Sequence, residues 1–308
     1  KPLLTPLAIG PHVVTVGGRE AGTMMDQLIV RRQADEAPAR LDDHEVAVLD
    51  NAIDNTIIHR IGTIWHGCYG IVNRFASRSR ITHNDISDTH WIAIGLDARW
   101  TYHGESYSHG NVVAYNHLHH LGLGYHADAA GIYQFGPLDT HIHHNHIHDT
   151  VAYPYICGYA GIYLDEQSRG ALVENNLVYN TDWYAYFQHK GVDNTFRNNI
   201  GAFARDGFFL RGALNAQWKT NTFEVSHNIY ISKDGVMIKD RWEPGLEPPV
   251  IRDNMYGCTD PNAAPTFAGK PLADWQALGN DLGSIIGDPG CRDPENLDFA
   301  LRPDAPAL

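Results

Sequence analysis

The sequence predicts an all-β chain wound as a right-handed parallel β-helix of about 8–10 coils. Three observations carry this. Short apolar segments recur around a polar pivot, usually Asn, at positions 84, 116, 145, 175, 198 and 227, in steps of 32, 29, 30, 23 and 29 residues. A repeat of that length built from short strands marks a solenoid. Each pivot is also followed by a second apolar patch, as in Trp91-Ile92-Ala93-Ile94, Gly131-Ile132-Tyr133, Gly161-Ile162-Tyr163 and Gly207-Phe208-Phe209-Leu210. Every coil therefore holds at least two strands, separated by turns rich in Gly, Asn, Asp and His. Finally, no long stretch carries the helical apolar period, so helices should be few.

Taken in order, residues 1–45 form an N-terminal segment or cap, with a strand at Leu28-Ile29-Val30 and a polar, Ala-rich loop over 33–43. The coils occupy 46–256. They begin at Ala47-Val48-Leu49 and Asn55-Thr56-Ile57-Ile58-His59-Arg60-Ile61, where His59 falls at the pivot, and end at Val250-Ile251-Arg252-Asp253-Asn254-Met255, with Asp253 as pivot. Stacked about 4.8 Å apart, the coils make a cylinder roughly 40–50 Å long. An inward Asn can bond both the turn backbone and the Asn of the next coil. Asn84, Asn116, Asn145, Asn175 and Asn198 are accordingly assigned to structure. Residues 257–308 break the pattern. They hold a short helix at Pro271–Gln276 and Asp/Pro-rich turns, and are expected to pack on the cylinder as an irregular cap.

Composition narrows the partners. The 308 residues include six Lys and carry a formal charge of −13, which disfavours nucleic acid and anionic membrane surfaces. No run of eighteen apolar residues exists, so no membrane helix is expected. The chain begins at Lys1 with no apolar leader, as a processed chain would, and a secreted or periplasmic monomer is expected. Four scattered Cys give no disulfide framework; Cys258 and Cys291 can pair only if the tail folds back, and otherwise remain thiols.

A β-helix offers a long outer groove suited to an extended polymer. The polar residues that the repeat does not require cluster between 103 and 190: His126-Ala127-Asp128, Asp165-Glu166 and Gln188-His189-Lys190. Glycoside hydrolysis needs one protonated and one ionised carboxyl group flanking the scissile bond, and Asp128 and Asp165 lie on adjacent coils. Aligning the Gly-Ile-Tyr triplets places them seven positions apart, roughly 23 Å if extended. The pair works only if the loop over 121–130 curls back. The run His141–Asp149 is read as the polar face of one coil and no metal is assigned; an ion, if held, should be Ca²⁺ on oxygen donors rather than zinc. No other cofactor is expected. Aromatic residues that sugars could stack on are Trp91, Trp100, Tyr102, Tyr107, Tyr125, Trp183, Tyr184 and Tyr186, with about three expected to line a groove.

The segments Ser108–Asn116, Asp128-Ala129-Ala130-Gly131-Ile132-Tyr133, Gly161-Ile162-Tyr163-Leu164-Asp165-Glu166, Gln188-His189 and Asn194–Ile200, with the tail Asp293–Phe299, resemble the parallel β-helix enzymes of glycoside hydrolase family 141. The likeness covers roughly residues 47–308. It implies a secreted bacterial enzyme of polysaccharide degradation, acting on fucosides of pectin or on xylan, with Asp128 and Asp165 as the catalytic pair. His189, Glu166, His126, Gln188, Lys190, His109, Tyr107 and Trp183 are then the expected substrate-binding residues. The chain departs from that family in having Ala129-Ala130 for Met-Gly, Gln167-Ser168 after Asp-Glu, and Lys190 for Tyr. The Lys implies a carboxylated sugar or an altered leaving-group pocket.

The leading expectation is thus a glycoside hydrolase acting on a plant or algal polysaccharide or its oligosaccharides. A polysaccharide lyase or uronan epimerase is the alternative, using His189, Lys190 or a Tyr as base and Arg197 or Arg211 to neutralise the acid. A non-catalytic carbohydrate-binding solenoid is the third.

Overall fold

The computed structural model describes residues 28–29, 48–97, 108–154, 157–211, 222–240 and 249–307. Strands of two to seven residues pair with their equivalents in the preceding and following coils, giving three parallel sheets of nine, eight and nine strands. Among the described residues, eight successive coils give one strand to each face. The first coil is Ala52–Asp54, Ile57–Ile61 and Ile71–Arg74, and the last is Val250–Arg252, Met255–Cys258 and Thr266–Phe267. The chain is therefore an all-β parallel β-helix. The one α-helix described is the five-residue Leu272–Gln276.

Strict register follows from the period. Alternate side chains point inward, and each inward residue stacks on its equivalent one coil away. One core column runs Ile53, Ile81, Val113, Ile142, Val173, Phe196, Val225, Ile251. Another runs Ile94, Ile132, Ile162, Tyr186, Phe209, Ile238. Where the column crowds, Gly replaces a side chain: a Cβ on Gly161 would sit 2.2 Å from Val178 Cγ1 and 2.7 Å from the Ala185 carbonyl oxygen.

The turn between the second and third faces repeats as a two-residue device. The first residue is left-handed, with φ of 54° at His83, 59° at Tyr115 and 54° at His144. The second is a buried Asn whose Oδ1 accepts from both the backbone N–H and the Nδ2 of the Asn one coil earlier, as Asn116 does from Asn84 at 3.0 and 2.9 Å. Its own Nδ2 donates back to a carbonyl, Ile81 O at 2.9 Å in the case of Asn116. Each Asn thus satisfies the buried polar groups of a turn that packing leaves without solvent.

This device corrects the sequence frame. The buried ladder runs Asn84, Asn116, Asn145, Asn176, Asn199, Asn228, Asn254. From the fourth of these on, the pivots read from sequence, Asn175, Asn198, His227 and Asp253, are instead the left-handed residues just before it. In the first coil the equivalent pair is Asn55 and Thr56, not His59, which lies inside the strand Ile57–Ile61. Hydropathy does not separate two adjacent polar residues; only the inside–outside alternation does.

The ladder ends on the tail. Asn254 N–H donates to Ser284 Oγ at 2.8 Å, and the fully buried Asp281 accepts from Tyr256 Oη and Trp275 Nε1, both at 2.9 Å. The antiparallel pair Cys291–Asp293 and Asp298–Leu301 then packs Phe299 against Tyr179 and Phe203 on the outside of the third face. All four Cys are free thiols.

Candidate active site

The outer side of the first face carries the site. Its strands Ile94–Asp97, Ala129–Phe135, Tyr159–Asp165 and Tyr184–Gln188 lie side by side in register. The two middle strands share a bend. Gly131 and Ile132 both face the core, so the outward positions are Ala130 and then Tyr133, with Ala160 and Tyr163 beside them. The two Tyr rings meet edge-on, with centroids 5.0 Å apart.

Asp165 ends its strand on this outer face and is only 7% exposed. Its carboxyl group is fully engaged. Oδ2 accepts a short hydrogen bond from the Tyr133 hydroxyl. Oδ1 meets His189 Nδ1 at 2.8 Å and accepts from the Glu166 N–H at 2.8 Å. His189 comes from the next coil, where its backbone N–H bonds to Leu164. It is aligned over Phe187, and with Nδ1 committed to Asp165 its proton-transfer edge is Nε2.

Asp128 joins the same cluster from the preceding loop. Its backbone is left-handed, φ 55°, which turns the chain just before the strand. The ring of Tyr163 abuts that of Tyr133, the partner of Asp165. The strand register keeps the seven-position offset: Asp128 stands just before Ala129, which pairs with Tyr159, whereas Asp165 pairs with Phe135 at the other end of the strand. Asp128 is exposed on the loop. Burial, then the Asp165 charge, raises its pKa above the ordinary value, with His189 and the Tyr163 bond pulling the other way. Burial also raises the Tyr133 and Tyr163 hydroxyls far above the usual tyrosine range.

The sign of that shift gives a test. A group whose folded pKa is raised contributes stability at low pH and loses it as pH rises through the folded value. Asp128→Asn is expected to raise the melting midpoint at neutral pH and to leave it unchanged below the ordinary aspartate value of 3.8. Thermal melts at the two pH values check this; an equal effect at both would contradict it.

The other expected residues are placed as follows. Glu166 and Lys190 form an ion pair in which both side chains are about one-eighth exposed, so Lys190 is neutralised rather than offered to an anion. Gln188 is wholly buried and faces inward, accepting from Asn194 Nδ2 at 3.0 Å; it is removed from the substrate-binding set. Trp183 is likewise removed: it is buried against Tyr163, Tyr184 and Phe187. His126 lies tilted against Trp91, 5.5 Å between centroids, and burial followed by the His66 and His90 charges lowers its pKa; it belongs to the loop cluster of Tyr125, His66 and His90. His109 sits in a corner column with Leu138 and Arg169, beyond the strands that carry Asp165. Trp100, Tyr102 and Tyr107 lie outside the described residues. Of the remaining aromatic candidates, Tyr184 and Tyr186 are buried, while Trp91 and Tyr125 retain exposure.

Two features escaped sequence reasoning. Tyr133 was legible only as part of a repeated triplet; its outward rung beside Tyr163 makes it the partner of Asp165. The same outward column continues through Phe135 to Asp97 and Arg74, two and three coils from Asp165, which form an ion pair at 2.7 Å. Asp165, Glu166 and His189 bring ligand-type atoms within 4.8 Å of one another. A cation there would displace the Lys190 ammonium and compete with Tyr133, so these residues fit proton chemistry better than metal binding.

Neither a family model nor a curated protein matches the chain, so the resemblance to glycoside hydrolase family 141 rests on the motifs alone. Among solved structures it is similar to an alginate lyase from Paenibacillus sp. str. FPU-7, with TM-score 0.46 and 15% identity over 78% of this chain and 74% of that one. It is also similar to a mutant tailspike protein of E. coli bacteriophage HK620 in complex with a pentasaccharide, with TM-score 0.45 and 12% identity over 79% of this chain and 49% of that one. Likeness at this level says nothing about the chemistry of the site.

Proposed function

We propose that the outer face at Asp128, Asp165 and His189 is the active site of a glycoside hydrolase acting on a plant or algal polysaccharide or its oligosaccharides. One observation carries this: two carboxyl groups share one electrostatic cluster in unlike environments. Asp128 has a raised pKa, and Asp165 is held by Tyr133, His189 and a backbone N–H. Unequal environments are how a carboxyl pair divides acid and base roles. Asp128, whose pKa burial raises, donates to the glycosidic oxygen. Asp165 meets the positive charge that develops on the sugar, with Tyr133 and His189 fixing its orientation. His189 Nε2 takes or returns the proton of water. The motif resemblance to glycoside hydrolase family 141 supports the same division. A polymeric substrate places the enzyme outside the cytoplasm, secreted or periplasmic.

A second reading is β-elimination on a uronan. It is favoured by the Asp165–His189 contact, which orients an imidazole as a general base. Its acid-neutralising group is less well supplied. Lys190 is paired with Glu166, and Arg197 lies on the second face, bonded to Glu174 at 2.9 Å. Digestion of a panel of neutral and uronic polysaccharides separates the two. Hydrolysis releases reducing ends without ultraviolet absorbance, whereas elimination adds the absorbance of an unsaturated uronate. Binding with neither product would leave a carbohydrate-binding solenoid and overturn both enzymatic readings.

A further inference from the structure

The third face carries a second cluster, unrelated to the Asp165 site. His117-Leu118-His119 and His146-Ile147-His148 occupy adjacent parallel strands, with His117 beside His146 and His119 beside His148. Alternation turns all four imidazoles outward into a square: ring centroids are 4.3 Å apart for His117 and His119, 4.9 Å for His117 and His146, 4.8 Å for His146 and His148, and 5.4 Å for His119 and His148. Asp85 lies below His117 in the same column, and Tyr179 lies above His148.

The hydrogen-bond pattern within the square is the informative part. His148 Nδ1 meets Asp149 Oδ2 at 2.8 Å, and Asp149 is itself held by Asn180 Nδ2 at 3.0 Å. His117 Nδ1 meets Asp85 Oδ2 at 2.9 Å. An ionised carboxylate only accepts, so each imidazole carries its proton on Nδ1. The two Nε2 atoms are turned toward each other at 2.9 Å, a spacing that serves either an N–H···N bond with one ring protonated on both nitrogens or two donors to one metal ion. His146 brings a third ring nitrogen, and the three ligand atoms lie within 4.8 Å of one another. Imidazoles whose far N–H is fixed by a carboxylate are the outer-shell arrangement of histidine metal centres.

We infer that His117, His146 and His148 form a binding site for a divalent transition-metal ion of the zinc class, with Asp85 and Asp149 as orienting partners. Three nitrogen donors suit Zn²⁺, Co²⁺ or Ni²⁺ rather than Ca²⁺. The side chain of His117 is 40% exposed, so solvent reaches the remaining coordination positions. Because the ligands come from two consecutive coils, a bound ion clips those coils together and stabilises the folded chain by mass action.

The test uses the full chain stripped with a chelator and titrated with Zn²⁺ by calorimetry, and with Co²⁺ by visible absorption. One ion per chain is expected, with a Co²⁺ ligand-field spectrum of low coordination number and a raised melting midpoint. His117→Gln and His148→Gln, each taken alone, should lower affinity at least 100-fold while metal-free melts stay close to the parent. Asp149→Asn should lower it by about 10–100-fold. His143→Gln, on the neighbouring face, should leave affinity and stoichiometry unchanged. Absence of saturable binding, or affinity indifferent to both His117 and His148 variants, would overturn the site and leave a shared proton as the bridging cation.

Discussion

Asp165→Asn is expected to lower turnover by about 10³-fold or more while the melting midpoint stays within a few degrees of the parent. The isosteric amide explains both halves. With its oxygen in the Oδ1 position it still accepts from the Glu166 N–H and from His189 Nδ1. Its NH₂ then faces the Tyr133 hydroxyl, which can rotate to accept instead of donate. Packing and hydrogen bonding survive. What disappears is the negative charge that, in the proposed mechanism, balances the sugar cation and orients His189. Because that charge acts in the transition state, kcat and kcat/KM should fall together with KM little changed. Steady-state kinetics on an active polysaccharide, with circular dichroism as the fold control, decide the matter. Full activity in the variant would remove Asp165 from catalysis and, with it, the proposed site.

The largest stability effect is expected at Asn176. Its Oδ1 accepts from Asn145 N and Nδ2, both at 3.0 Å, and its Nδ2 donates to the Ile142 and Glu174 carbonyls and to Asn199 Oδ1, all at 3.0 Å. Asn176→Ala strands several of these groups in a turn that excludes water, at a cost of about 3–5 kcal/mol. The residue just before it behaves differently. Asn175 sits at φ 56°, half exposed, where Gly is the natural substitute, so Asn175→Gly should change stability by no more than about 0.5 kcal/mol. Urea midpoints for the two variants, at unchanged m, measure both. A larger loss at 175 than at 176 would show that the ladder runs through the other Asn.

That pair also shows how far the sequence could be read. The repeat, its period, the parallel stacking, the Ile and Val columns and the structural role of Asn84, Asn116 and Asn145 were all legible, because period-two alternation and αL-tolerant turn residues are local properties. Asn-Asn at 175–176 and 198–199 was not resolved, since adjacent polar residues look alike until burial separates them. In the site, Asp165 and His189 were found as polar residues that the repeat does not require. Gln188 and Trp183 were included by proximity in sequence, yet neighbours on a strand face opposite ways or fall into covered positions. Tyr133 was passed over because an aromatic in a repeated triplet reads as core.

The amino-acid sequence by itself determined that this chain winds into a parallel β-helix, which residues turn its corners, and which few polar side chains lie outside the repeat's needs. Those are consequences of spacing along one strand and one turn. Only the tertiary structure decided which side chains meet: Tyr133 with Asp165, Asp165 with His189, and His117 with His148. Each of these contacts crosses between coils. It depends on stacking register, a quantity that no local pattern of residues encodes.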